Sequence, residues 1–447
     1  MSEKKFDVLI NQRIPSYVKT IKVDSDKSVS IRSFLIGSIC QNISTSENVL
    51  ESLDVKSTIS ACRKLGIRIE KTKPKCYKIY GKGLGSLHTK KNTVLNFSNS
   101  GTLARLLIGI LTSTPNIEVK IKGDRSLNKR NMKQLIDLMS KFGATFLPKN
   151  KNTFPLKMIS SKFPTGIRYK AGVSAQLKSA VLLAGLNSYG DTTIIEQVNS
   201  RNHTENILKT NNKTIKFLKK KKIIKIFEKN EIKPINVKVF GDPSSAAFFT
   251  ALTLLNDNSV LKIKNVGLNP TRIGFYKILK RQGAKIRFIN LKKHSNEVYG
   301  DILVRSCKLR GMNVPAHLYS STTDEYLILF VIAGLTNGIS TFNGISDLSN
   351  KESSRAYEMK KILNQIGVKC ELSKDKIRIY GKGMINARDK KIKVGNLGDH
   401  RVAMCAFILG ALTKANTKIK NFETVFTSSP SFLNIMKNLG AKFEIQK

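Results

Sequence analysis

Lysine and arginine recur beside serine, threonine and glycine at a few places in this 447-residue sequence, and three of those places open long apolar stretches. Lys27-Ser28 with Arg32 is the first, Gly101-Thr102 with Arg105 the second, and His400-Arg401 the third. Two further basic groups lie between such openings: Arg125 to Arg130, and Lys351-Glu352-Ser353-Ser354-Arg355. Basic side chains at a helix start oppose the positive end of the helix dipole, so gathering them there costs stability unless an anion is bound. Two acids, Asp324 and Glu352, stand among these cations. Such carboxylates serve either as structural ion pairs or as a general acid and base held beside anionic substrates. From residue types and spacing, the reading stops at a two-domain protein that binds a polyanionic small molecule in a cleft.

Internal repeats supply the elements that position these groups. An amphipathic segment ending in Gly, then a short apolar–polar–apolar run, occurs around Gly66, Gly143, Gly283, Gly367 and Gly440. Gly just past a helix followed by alternation predicts a C-cap leading into a strand. The spacing is about 75 residues with one double gap, where Ile215 to Lys222 is expected to be a helix that has lost its Gly. Tyr80-Gly81-Lys82-Gly83 recurs as Tyr380-Gly381-Lys382-Gly383, and this phrase is expected to punctuate hairpins. Six polar openings precede apolar segments: Asp26-Lys27-Ser28, Asn99 to Thr102, Ser174-Ala175-Gln176, Gly241 to Ser244, Asp324-Glu325 and Gly398 to Arg401. The segments behind them are apolar nearly all round, which predicts helices buried inside a domain. Six units, three to a domain, follow, with a break near Phe240.

Composition narrows the classes. The length suits two cores, and no run approaches the roughly 18 apolar residues of a membrane span. The first residues lack an apolar signal core, so a cytoplasmic location is expected. Six cysteines without a Cys-x-x-Cys pair read as buried free thiols, and five scattered histidines suggest no metal site. The net charge of +47 could mark a nucleic-acid surface. Lysine outnumbers arginine and its longest run, Lys219 to Lys222, lacks interleaved aromatics, so solvated faces with one cationic cleft are the preferred reading.

The openings, taken in order, resemble those of the EPSP synthases (3-phosphoshikimate 1-carboxyvinyltransferases) over essentially the whole chain. The matching residues are Asp26 to Arg32, Asn99 to Arg105, Lys129-Arg130, Ser174-Ala175-Gln176, Gly241 to Ala246, Lys351-Glu352 with Arg355, and Asp399-His400-Arg401. The resemblance implies an α/β (α+β) protein, a two-domain inside-out α/β barrel of six βαβαββ repeats. Residues 1–22 with 241–447 would form domain I and 23–240 domain II, the active site lying in the cleft between them. It implies transfer of the enolpyruvyl group of phosphoenolpyruvate to the 5-hydroxyl of shikimate 3-phosphate, in aromatic amino acid biosynthesis, with no cofactor, no nucleic-acid or membrane partner, and a monomeric state.

Roles carry over by position. Ser28 and Arg32 would hold the shikimate carboxylate; Ser174, Ala175 and Ser200, helped by Arg201, would surround its 3-phosphate, and Gln176 would lie between the substrates. Lys27, Gly101 and Arg130 would bind the phosphate of phosphoenolpyruvate, and Arg355, His400 and Arg401 its carboxylate end. Asp324 and Lys351 would contact the attacking hydroxyl, with Asp324 as base and Glu352 as the acid. Ala175, Thr427, Ser354 and Asp347 depart from the commonest family pattern, and Ser200 to Glu205 looks like the more divergent bacterial class. A sister family acting on UDP-N-acetylglucosamine typically has Lys-Asn at the first opening and a Cys ahead of the Arg; here Lys27-Ser28 stands and Gly123 to Arg130 holds no Cys. An RNA-binding or RNA-end-processing protein is the rival from another class.

Overall fold

The computed structural model describes residues 5–209, 211, 213–227 and 230–446. The chain divides into two compact units. A terminal unit comprises Met1–Asp24, Phe240–Lys293 and Val298–Lys447, and an inner unit comprises Ser25–Val239 with the hairpin tip His294–Glu297. Each has its own apolar core.

Among the described residues, three long buried helices fill each core. In the inner unit they are α1 (Lys27–Ile39), α2 (Gly101–Thr112) and α3 (Ala175–Gly185). In the terminal unit they are α4 (Pro243–Leu255), α5 (Tyr326–Gly334) and α6 (His400–Thr413). Every residue of α4 and α5 is buried, as an all-round apolar sequence requires. Three hydroxyls inside these helices bond to the carbonyl one turn back: Ser38 to Phe34 at 2.7 Å, Thr112 to Ile108 at 2.8 Å, Thr413 to Leu409 at 2.7 Å. They therefore enter the core without an unmet polar group.

Among the described residues, six four-stranded sheets surround the helices. Each contains one parallel pair, the second strand of which pairs antiparallel with a third. The sheets explain why each unit closes on itself. In the inner unit Asn236–Lys238, at its chain end, runs parallel to Gln41–Glu47 near its beginning. In the terminal unit Val18–Ile21 runs parallel to Val260–Gly267, and Asp7–Ile10 lies between Asn416–Ile419 and Glu444–Gln446. The result is a mixed α/β protein with helices inside and small sheets outside, three repeats to a unit.

Gly66, Gly143, Gly283, Gly367 and Gly440 all adopt positive φ directly after a helix, the left-handed cap that glycine takes without penalty. The sixth copy differs from expectation. Ile215–Leu218 is a strand paired antiparallel with Ile223–Ile226, not a helix. Alternating Ile215 and Phe217 suit a strand, and the helix of that repeat lies earlier, at His203–Leu208. The recurring Tyr-Gly-Lys-Gly phrase is not hairpin punctuation either. It ends the strands Cys76–Lys82 and Lys376–Lys382, where Gly81 and Gly381 lie against the C-terminal ends of α1 and α5. A Cβ at Gly81 would stand 2.3 Å from the Gly37 and Cys40 carbonyl oxygens, and one at Gly381 2.0 Å from that of Thr336. Glycine is there because backbone meets backbone.

All six cysteines are free thiols, but Cys76 and Cys307 are only partly buried, against the expectation of full burial. Among the described residues no helix is long and apolar enough to cross a membrane, and no three His, Cys, Asp or Glu side chains gather as metal ligands would.

Candidate functional site

In the inner unit the starts of α1, α2 and α3 carry the basic and hydroxyl residues. Side-chain caps hold each start in place: Asp26 accepts from Val29 N at 2.9 Å, Ser100 from Leu103 N at 3.2 Å, and Ser174 from Leu177 N at 3.3 Å. Arg32, on the first turns of α1, is buried. Its Nε donates to Thr204 Oγ1 at 2.8 Å, Nη1 to the Ser28 carbonyl at 3.0 Å and Nη2 to Ser179 Oγ at 3.3 Å.

A second chain of bonds ties α2 to α3. Arg105 Nη1 donates to Gly101 O at 3.2 Å and to Gln176 Oε1 at 2.9 Å, and Gln176 Nε2 donates to Thr102 Oγ1 at 2.9 Å. Gly101 makes room for this. A Cβ there would come within 2.8 Å of Arg105 Nη1 and 2.9 Å of Arg130 Nη1, so two guanidiniums crowd the start of α2. Arg130 also donates to Asn99 Oδ1. Lys27 Nζ lies 2.9 Å from Asp54 Oδ2, a buried carboxylate. Ser200 is buried, and its Oγ has no hydrogen-bond partner among the described residues. Ala175, where a hydroxyl would have been one more donor, begins α3.

The terminal unit assembles acids around arginine. Arg355, 1 % exposed, begins the helix Arg355–Gln365. Its Nε meets Asp399 Oδ2 at 2.9 Å, its Nη2 meets Glu352 Oε2 at 2.6 Å, and its Nη1 lies 3.7 Å from Asp324 Oδ1. Burial alone would depress the guanidinium pKa; Asp399, then Glu352 and Asp324, outweigh it and hold the group well above its ordinary value. Arg355 is a fixed cation. Arg401, in the first turn of α6, reaches the same acid: Nη2 is 3.3 Å from Asp324 Oδ2 and Nη1 donates to the Asp324 carbonyl at 3.2 Å. Two arginines thus converge on one carboxylate. Asp324 and Glu352 are each 20 % exposed in their side chains, enough to meet a substrate.

Lys351 has a carboxylate partner within its own helix-entry segment. Its Nζ is 2.5 Å from Asp347 Oδ2, which also accepts from Tyr319 OH at 3.0 Å. Asp347 therefore explains itself as the lysine's counter-ion. Ser354 precedes the Arg355 helix without capping it through its side chain, and Thr427 Oγ1 donates to the Thr424 carbonyl at 2.8 Å. His400 is buried at the first position of α6. Sequence reasoning missed Asp399 as a partner: its Oδ1 caps α6 through Arg401 N at 3.0 Å while Oδ2 takes Arg355 and, at 2.9 Å, Ser353. It missed Lys178 too, although a lone charge within Leu177 to Ala184, where only Ser179 is otherwise polar, is a visible signal.

Cations at helix starts, carboxylates between arginines and a six-fold repeat of small sheets define an enolpyruvyl-transferase fold. The enolpyruvyl transferase NikO from Streptomyces tendae superposes with a TM-score of 0.73 over 99 % of both chains, a likeness of fold alone at 12 % identity. An EPSP synthase from Acinetobacter baumannii matches with a TM-score of 0.84 at 30 % identity, over 99 % of this chain and 100 % of that one. The sequence model described as EPSP synthase (3-phosphoshikimate 1-carboxyvinyltransferase) matches residues 12–436. Proteins named 3-phosphoshikimate 1-carboxyvinyltransferase from Zymomonas mobilis and Paramagnetospirillum magneticum are each 36 % identical, over 98 % and 97 % of this chain and 97 % of their own. The chain belongs to the EPSP synthase family.

Proposed function

We propose that this chain, a transferase by its family, moves the enolpyruvyl group of phosphoenolpyruvate to the 5-hydroxyl of shikimate 3-phosphate and releases inorganic phosphate. The observation that carries the reading is the meeting of Arg355 and Arg401 on Asp324, with Glu352 on the other side of Arg355. Two accessible acids stand there against buried or half-buried guanidiniums, and this chemistry needs both. Glu352 gives a proton to the methylene carbon of phosphoenolpyruvate, leaving cationic character at C2. Asp324 takes the proton of the 5-hydroxyl as its oxygen adds there. The methyl group then returns a proton to the ionised Glu352, the C2–O bond breaks with its electron pair going to the departing phosphate, and the enol ether forms.

The remaining residues bind in this reading. Arg355 and Arg401, which also meet Asp324, hold the carboxylate of phosphoenolpyruvate, because planar guanidinium forks fit planar carboxylates, and His400 binds beside them. Lys27, Gly101 and Arg130 take its phosphate. Ser28 and Arg32 hold the shikimate carboxylate; Ser174, Ser200 and Arg201 hold the 3-phosphate beside Ala175; Gln176 stands between the substrates. Lys351, balanced by Asp347, approaches the 5-hydroxyl with Asp324. The protein works without a cofactor, as a monomer in the cytoplasm, with no nucleic-acid or membrane partner. The test is incubation with shikimate 3-phosphate and phosphoenolpyruvate while inorganic phosphate is followed. Stoichiometric phosphate release that needs both substrates is expected; no release, or release with UDP-N-acetylglucosamine in place of shikimate 3-phosphate, sinks the reading.

A further inference from the structure

Lys178 has no role in the reaction as described, yet it is a charged side chain with no exposed surface in the middle of the inner unit's core. It lies on α3, one turn beyond Ser174 and two residues from Gln176. Its Nζ is 2.7 Å from Glu196 Oε1 and 2.6 Å from Glu205 Oε1. The first contact is an aligned hydrogen bond, the second a close ion pair. Burial would depress the ammonium pKa; Glu205 and Glu196 reverse this, so the pKa is raised and the lysine stays charged. Stability does not account for such a group, because a buried ion network replaced by apolar side chains is often no less stable.

Sequence position supplies the account. Glu196 ends the strand Thr192–Glu196 and Glu205 lies in the helix His203–Leu208. Between them runs the segment holding Ser200 and Arg201. One ammonium therefore pins both ends of that segment against the first turns of α3. The neighbouring hydroxyls extend the tie: Ser179 and Thr204 share a 2.8 Å hydrogen bond, and both accept from Arg32. We infer that Lys178 is a positioning residue for shikimate 3-phosphate, stapling the segment that carries Ser200 and Arg201 to the helix that carries Ser174. A segment already ordered loses less conformational entropy when its ligand arrives, which is worth affinity.

This inference rests on the proposed function, and the experiment separates the two. Titration calorimetry and initial rates compare wild type with Lys178→Met and Lys178→Arg. Lys178→Met should raise both the Kd and the KM for shikimate 3-phosphate roughly 10- to 100-fold. Its kcat at saturation should fall less than about 5-fold and its KM for phosphoenolpyruvate should stay within about 2-fold, since the staple touches neither. Lys178→Arg should recover part of the loss. If Lys178→Met does not fold, Glu196→Gln frees one end of the segment and should weaken shikimate 3-phosphate alone, by about 5-fold or more. Unchanged shikimate 3-phosphate affinity in a folded Lys178→Met, or equal losses for both substrates, overturns the inference. A wild type that does not bind shikimate 3-phosphate overturns the functional reading instead.

Discussion

The two units share an architecture and differ in chemistry. Each packs three buried helices inside three four-stranded sheets, and each turns the helix starts into polar sites. The inner unit fills those sites mainly with donors, Arg32, Arg105, Arg130, Lys27 and the hydroxyls of Ser28, Ser174 and Ser200, with Asp54 set against Lys27. The terminal unit places carboxylates among its cations, with Asp324, Glu352 and Asp399 all on Arg355. Donors suit holding; carboxylates between arginines suit proton transfer. The comparison teaches that one repeated scaffold can be specialised by a few residues at helix starts while its cores stay alike.

The largest expected effect breaks that division at its chemical end. Asp324→Ala should lower kcat on the order of 10³-fold, the usual cost of removing a general base, while circular dichroism and the melting transition stay near wild type. Turnover within a few-fold of wild type would refute the assignment of the base. The cut side chain leaves Arg355 with Asp399 and Glu352 as counter-ions, so the fold should survive.

The second prediction concerns what the units have in common. Gly81→Ala and Gly381→Ala each drive a methyl group into helix-end carbonyls at 2.3 Å or less, and backbone cannot step aside cheaply. Each should cost about 3 kcal/mol of unfolding free energy by urea titration. Similar losses in the two variants support equivalent scaffolds; a loss in one alone shows that the repeats do not carry equal loads. The third is smaller. Ser200→Ala removes a buried hydroxyl assigned to the phosphate, and a hydrogen bond to a charged group is worth about 1.5–3 kcal/mol. The KM for shikimate 3-phosphate should rise roughly 10-fold or more with kcat nearly unchanged. A kcat loss without a KM change would move Ser200 out of the gripping half.

What could be read from sequence was local. A glycine after a helix and a capped polar opening before one depend on residues a few positions apart, so Gly66, Gly143 and their counterparts were legible. The misread features depend on distant partners. Gly81 looked like a turn because its reason, the carbonyls at the end of α1, lies some forty residues upstream. The place of Ile215 to Lys222 in the repeat predicts a helix, though its alternation points to the strand observed at Ile215–Leu218. At the candidate site the basic residues could be found, but not what engages them. Nothing in the spacing shows that Lys351 meets Asp347, or that Asp399 joins Arg355 to the cap of α6.

The smallest expected effect is a pH dependence that the units should share, because it comes from cores and not from sites. Cys62 in the inner unit and Cys405 in the terminal unit are fully buried. Burial pushes the Cys62 thiol up to about 11 and Cys405 well above its ordinary value. A thiol is neutral when protonated, and in the unfolded chain it releases its proton near pH 8.5. Above that pH the unfolded state holds fewer protons than the folded one, so unfolding becomes easier as pH rises. The stabilisation is complete below about pH 8 and is lost as pH climbs toward the folded-state values. Between pH 8.5 and 9.5 each thiol should remove about 1 kcal/mol from the unfolding free energy. In urea titrations Cys62→Ala and Cys405→Ala should each carry a constant cavity cost and show a shallower decline over that interval, by about 1 kcal/mol. A decline as steep as wild type in Cys405→Ala, with the expected relief in Cys62→Ala, would mean that the terminal core opens to water before its inner counterpart does, and the likeness of the two cores would fail.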